Sequence, residues 1–147
     1  MKSYFRLKDA PKGPGMKAPR ARYVMPAGVS RDSAEAFKSF QAGSWSGAAA
    51  IPVPAGVIVP PQPADPSGLK AEAATWRYGE VAEILHLGPY ETEVPTVTRL
   101  VEFVGRQGYE IAGDHEEEYL KGPGMPFVSP KDYWTIIRYQ VRKKAPR

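Results

Sequence analysis

Glu116-Glu117-Glu118-Tyr119 is the densest concentration of reactive groups in the chain. On an extended backbone, successive side chains alternate, so Glu117 and Tyr119 share one face and Glu116 and Glu118 the other. A sheet that is part of a folded domain covers one of these faces. A carboxylate on the covered face loses its hydration, so it either takes up a proton or waits for a cationic partner. A tyrosine hydroxyl two residues away could donate to that carboxylate and orient it. If the strand lies at a sheet edge, all three glutamates are instead simply solvated.

The same half of the chain carries Trp76, Tyr78, Tyr90, Tyr109, Tyr119, Tyr133, Trp134 and Tyr139. Aromatic faces attract cations, at about 0.5–2 kcal/mol each. An acid among such rings is the chemistry of a pocket for a flat or lipophilic cation. Packing against a helix is the competing fate of the rings. His86, just before Gly88-Pro89, suits a proton carrier or a hydrogen-bonded structural group. His115, beside three glutamates, is equally compatible with the surface.

Other chemistries lack their residues. There is no cysteine, so disulfides, thiolate metal sites and thiol nucleophiles are excluded, and two histidines are too few for an ordinary catalytic zinc site. No phosphate loop, dinucleotide glycine fingerprint or Gly-x-Ser-x-Gly elbow is present, and no cofactor is expected. The longest apolar run, residues 47–59, falls short of the roughly 20 residues of a membrane helix and contains prolines. The start of the chain lacks the apolar core of a secretion signal, so a cytoplasmic protein without membrane association is expected. Seven bases lie within residues 1–25 and five within the last ten, whereas residues 72–118 hold eleven acids against three arginines. Bases confined to the ends read as solvated tails rather than a nucleic-acid face.

The elements that must hold these groups follow from pattern. Residues 76–87 alternate as one long strand, placing Trp76, Tyr78, Glu80, Ala82, Ile84 and His86 on one face. Gly88-Pro89-Tyr90 ends it. Pro95 suits a first helical turn, and Val94, Val97, Leu100, Val101, Phe103 and Val104 recur at helical spacing up to Gly108. A strand over 109–120, kinked at Gly113, and a hairpin partner over 132–142 complete a strand-helix-strand-strand order. Upstream, residues 21–25 read as a short strand. Asp32 and Glu35 have capping-box spacing for a helix with Ala36, Phe37 and Phe40 buried, ending near Gly43. Residues 48–59 read as an edge strand running into a proline-rich connector. Lys-Gly-Pro-Gly-Met occurs at 12–16 and again at 121–125, which hints at a duplicated unit.

In this order, residues 81–91 (VAEILHLGPYE), 108–113 (GYEIAG), 117–120 (EEYL, read as Glu117-Glu118-Tyr119-Leu120) and 129–132 (SPKD) resemble the GyrI-like small-molecule-binding (effector-binding) family. The resemblance covers about residues 76–143, and residues 48–58 are similar to the family's link between repeats. It implies an α+β fold of two strand-helix-strand-strand units forming a curved antiparallel sheet, with helices on one side and a central ligand groove. The expected layout is one domain: a basic Pro/Gly-rich segment (1–20), a degenerate first repeat with its proline-rich link (21–66), a second repeat (67–143) and a basic tail (144–147).

The resemblance further implies that Glu117 is the ligand-contacting carboxylate, with Tyr119 beside it. Trp76, Tyr78, Tyr90 and Trp134 are then the expected walls of a multidrug-type bacterial binding site for a hydrophobic or cationic small molecule. Some similar proteins hydrolyse cyclopropanoid compounds, in which case Glu117 and Tyr119 would be catalytic, and one inhibits gyrase through protein contact. Where many members carry Thr-Glu, this chain has Thr135-Ile136, which removes a second acid and favours binding over catalysis. No helix-turn-helix segment is legible, so no nucleic-acid partner is expected.

Overall fold

The computed structural model describes residues 6–25, 27–34, 37–38, 46–61 and 66–146. The chain divides into two units, Met1–Ala18 with Ile51–Arg77, and Pro19–Ala50 with Tyr78–Arg147. In the first, Leu7 and Ala10 are buried, with Met16, Ile51, Val57 and Val59 packed around them. Lys12 Nζ donates to the Leu7 carbonyl at 2.8 Å, tying down a backbone that the prolines keep out of ladders.

The second unit is α+β. It contains β1 (Arg20–Tyr23), β2 (Gly47–Ala50), β3 (Val81–Leu87), α1 (Val94–Arg106), β4 (Tyr109–Ile111), β5 (His115–Lys121) and β6 (Trp134–Lys143). All pairings are antiparallel, and the strand order is β2-β1-β5-β6-β3, with β4 also on β6. The six strands form an open curved sheet, as expected from the sequence. Val97, Leu100, Val101 and Val104 of α1 pack over Ile111, Ile137 and Tyr139, joined by Met25 and Phe37.

Several boundaries differ from the sequence reading. The strand expected from residue 76 begins at Val81, because Gly79 takes φ +68° and breaks the extension. The strand expected over 109–120 is two, β4 and β5, both paired with β6. Gly113, between them, lies so close to β6 that an added Cβ would stand 2.9 Å from Gln140 Cβ. Gly113→Ala should therefore lower stability by about 1–3 kcal/mol through overpacking, measurable as a shift in the urea midpoint without a change in slope. The expected helix over 32–43 lies mostly outside the described residues. Asp32, read as its cap, accepts from the Ile111 amide at 3.1 Å and so ties this segment to β4. Both Lys-Gly-Pro-Gly-Met copies close a Gly-to-Met turn, at 3.0 and 3.4 Å, but the left-handed glycine is Gly13 in one and Gly124 in the other.

Candidate functional site

Register sorts the side chains into two sets. Ala21, Glu117, Ile137 and Ile84 stand in one cross-strand row. This face is covered by α1, and it also carries Tyr23, His115, Tyr119, Thr135, Tyr139 and His86. Arg22, Glu116, Arg138 and Glu83 form a row on the opposite face, with charge alternating along it. The alternation of Glu116, Glu117 and Glu118 thus divides them between the two faces.

On the covered face Glu117 is 6 % exposed. His115 Nε2–H donates to its Oε1 at 2.8 Å, and the Tyr119 hydroxyl donates to its Oε2 at 2.7 Å. The Tyr23 hydroxyl stands 2.6 Å from that of Tyr119, and the Tyr139 hydroxyl 2.7 Å from His115 Nδ1. Burial alone would raise the Glu117 pKa, but the bonds and charge supplied by His115, then the Tyr119 bond, hold it below the usual carboxylate range. Burial and the Glu117 charge push the surrounding phenols up, Tyr23 and Tyr90 to about 12, so they remain neutral donors.

A second acid completes the site. Glu93, at the start of α1, is 1 % exposed and makes no side-chain cap to its own helix. It shares a hydrogen bond with Glu117, and burial followed by the Glu117 charge pushes its pKa up to about 9. The pair therefore holds one proton at neutral pH, with Glu93 as the acid and Glu117 as the carboxylate. Its other oxygen, Oε1, has no hydrogen-bond partner among the described residues, and neither has Thr135 Oγ1.

Of the residues expected to line this site, Tyr119 touches Glu117. Tyr90 packs edge-on against Tyr119 at 5.9 Å between centroids and against Tyr133 at 5.2 Å. Tyr78 and Trp134 do not join them. The Tyr78 hydroxyl donates to Glu116 at 2.8 Å on the opposite face, because the backbone turns at Gly79 before β3 begins. Trp134 has the parity of Ile136 and Arg138, is about half-exposed and carries Lys121 Nζ at 5.7 Å. Trp76 belongs to the first unit. His115, compatible with the surface in the sequence, is fully buried, and His86 is a structural group bonded to Thr96 at 2.9 Å.

Glu93, Tyr23, His115 and Thr135 are the site residues missed in the sequence. Glu93 was legible, since it stands in phase with Val97, Leu100, Val101 and Val104, an acid within the apolar stripe. Tyr23 and Thr135 reach the site only through strand pairing, which local pattern does not reveal.

On the opposite face Glu116 is buried among Arg22, Arg138 and Tyr78, with bonds of 2.6, 2.7 and 2.8 Å. Desolvation is outweighed, and its pKa falls below the usual carboxylate range. Arg20 bridges Glu118 at 3.2 Å and donates to Tyr78 at 2.7 Å. Arg22, Tyr78, Asp114, Glu116, Arg138 and Gln140 enclose a cavity of about 30 Å³, room for a water molecule or two. Among the described residues no cluster of three or more His, Cys, Asp or Glu is arranged to hold a metal, and no helix is long and apolar enough to cross a membrane.

The fold has counterparts among solved structures. An uncharacterized conserved protein from Listeria innocua superimposes with a TM-score of 0.59 at 19 % identity, over 86 % of this chain and 64 % of its own. A hydrolase from the same organism superimposes with a TM-score of 0.61 at 18 % identity, over the same shares. The chain thus spans less than two thirds of the length of these relatives, and at such identity the likeness is one of fold. No protein-family model and no curated protein matches the sequence.

Proposed function

We propose that the second unit binds a hydrophobic, cationic small molecule at Glu117. The observation that carries this reading is a buried carboxylate, bonded by His115 and Tyr119, beside the packed rings of Tyr119, Tyr90 and Tyr133. A cation entering there adds to the stabilisation that His115 and Tyr119 already give the buried carboxylate, and tyrosine faces add attraction. The resemblance to the GyrI-like effector-binding family favours the same role for Glu117. In a fluorescence titration with a rhodamine dye, Glu117→Gln should weaken binding by about tenfold or more, the loss of roughly one charge-assisted contact. Equal affinity in the two proteins would overturn the proposal.

A second reading rests on Glu93. The helix supplies a second acid in place of the one that Ile136 lacks, so a proton donor and a proton acceptor stand side by side. Such a pair suits hydrolysis, with Glu117 as the base toward an attacking water and Glu93 as the acid toward the leaving atom. The hydrolase among the structural relatives and the cyclopropanoid hydrolases of the resembled family are consistent with it. Turnover of a cyclopropanoid substrate that is lost in both Glu93→Gln and Glu117→Gln would support this reading, and no turnover across a substrate panel would count against it.

A further inference from the structure

Two oxygens on the covered face lack a partner among the described residues: Glu93 Oε1 and Thr135 Oγ1. Both residues are almost completely buried, where an unmade hydrogen bond is costly. Thr135 stands between Tyr119 on β5 and His86 on β3. Each of these neighbours leads to the start of α1: His86 bonds Thr96 directly, and Tyr119 bonds Glu117, which meets Glu93. Two short chains of contacts thus join Thr135 to the start of α1, one of them through the Glu117 carboxylate. The Glu93 oxygen is an acceptor and needs a donor. A quaternary or fully substituted cation offers none.

We infer, on the reading that this site binds a cation at Glu117, that Glu93 and Thr135 are further ligand-contacting residues and that the ligand is an ammonium with N–H groups. Its N–H donors satisfy Glu93 Oε1 and Thr135 Oγ1 while its charge faces Glu117. The positive charge also opposes what keeps Glu93 neutral, its burial first and then the Glu117 charge. Glu93 then gives its proton to solvent, so one cation enters as one proton leaves, and the site keeps its net charge. The groups facing Glu93 are Glu117 from β5, Tyr23 from β1, Tyr139 from β6, and Tyr90 and Glu91 from its own turn. From β3, His86 is tied to Thr96. His115 on β5 completes the set: it is bonded to Glu117 through Nε2 and to Tyr139 through Nδ1, and the remaining neighbours carry no positive charge.

Phenethylammonium and its N,N,N-trimethyl analogue form the test pair, measured by calorimetry at pH 7.5 in buffers of different ionisation enthalpy. The ammonium should bind about tenfold more tightly, and close to one proton should be released per cation bound. Glu93→Gln should bind without releasing a proton, and Thr135→Val should narrow the preference between the two cations. Equal affinities, or binding without proton release in the unsubstituted protein, overturn the inference and indicate that water alone meets these oxygens. If neither cation binds while the rhodamine dye does, the inference fails and cation binding at Glu117 stands. If the dye also fails, both fall together.

Discussion

Arg138→Met is expected to lower folding stability by about 3 kcal/mol, the cost of leaving buried carboxylates with too few counter-charges. Arg138 is buried in the middle of the sheet and donates to Glu83, Glu116 and Glu118, the last two at 2.7 and 2.9 Å. With Arg20 and Arg22 it balances three glutamates, and its removal leaves one negative charge in excess. Arg22 and Tyr78 still hold Glu116 and Arg20 still holds Glu118, which keeps the loss below that of an isolated buried ion. Methionine retains the length of the stem, so the change reports charge and hydrogen bonding more than lost volume. Adding Glu116→Leu should recover part of the loss, because an apolar residue needs no partner in the same place. Urea denaturation checks both. A single substitution costing under 1 kcal/mol would mean that the row is solvated and contributes as a surface network does.

How far this architecture was legible in the sequence depends on the range of the signal. The helix is a local matter: Pro95, the valine stripe and Gly108 fixed its limits to within a residue or two of Val94–Arg106. β6 is equally readable, 132–142 against Trp134–Lys143, whereas the reading of β3 runs five residues too far upstream, through Gly79. The strand break at Gly113 was visible as a kink, but its cause, close approach to Gln140, is tertiary. Alternation put Glu117 and Tyr119 on one face and Glu116 and Glu118 on the other. It did not reveal that β1 would set Arg20 and Arg22 against Glu118 and Glu116, and so bury a second layer of charge. Tyr78 was assigned to the wrong face because period-two counting was carried through Gly79, where the backbone leaves the extended region. An acid at a helix start normally serves the helix dipole, so position alone does not mark Glu93 as a site residue. Here that carboxyl turns inward, and this single rotation converts a lone acid into an acid–carboxylate pair.

The two faces consequently have opposite responses to pH. Glu116 is bound by guanidinium groups that keep their charge at any ordinary pH, so its stabilising contribution is present above about pH 4.5 and is lost as pH falls through its lowered folded value. Glu117 acts in the same direction. Both therefore make the protein weaken in acid. Neither changes anything between pH 6 and 9.

Glu93 works against them in that range, and Glu93→Gln should flatten the pH dependence of stability above pH 5. In the folded protein Glu93 keeps its proton to about pH 9, whereas in the unfolded chain it loses the proton near the ordinary glutamate value of 4.5. Between these values the folded state binds more protons than the unfolded one, so stability falls as pH rises. One such group gives a slope of about 1.4 kcal/mol per pH unit, or about 3 kcal/mol between pH 5.5 and 8. Above pH 9 the loss is complete and the slope disappears. Together with the acid-side loss from Glu116 and Glu117, this places the stability maximum near pH 5, well below neutrality. Glutamine keeps an N–H donor toward Glu117 and cannot ionise, so Glu93→Gln should match the unsubstituted protein at pH 5 and exceed it by about 4 kcal/mol at pH 8. Urea midpoints measured every half unit from pH 4 to 9 separate the two cases. Parallel curves for the two proteins would show that Glu93 is ionised in the folded state, and the shared-proton pair would have to be abandoned.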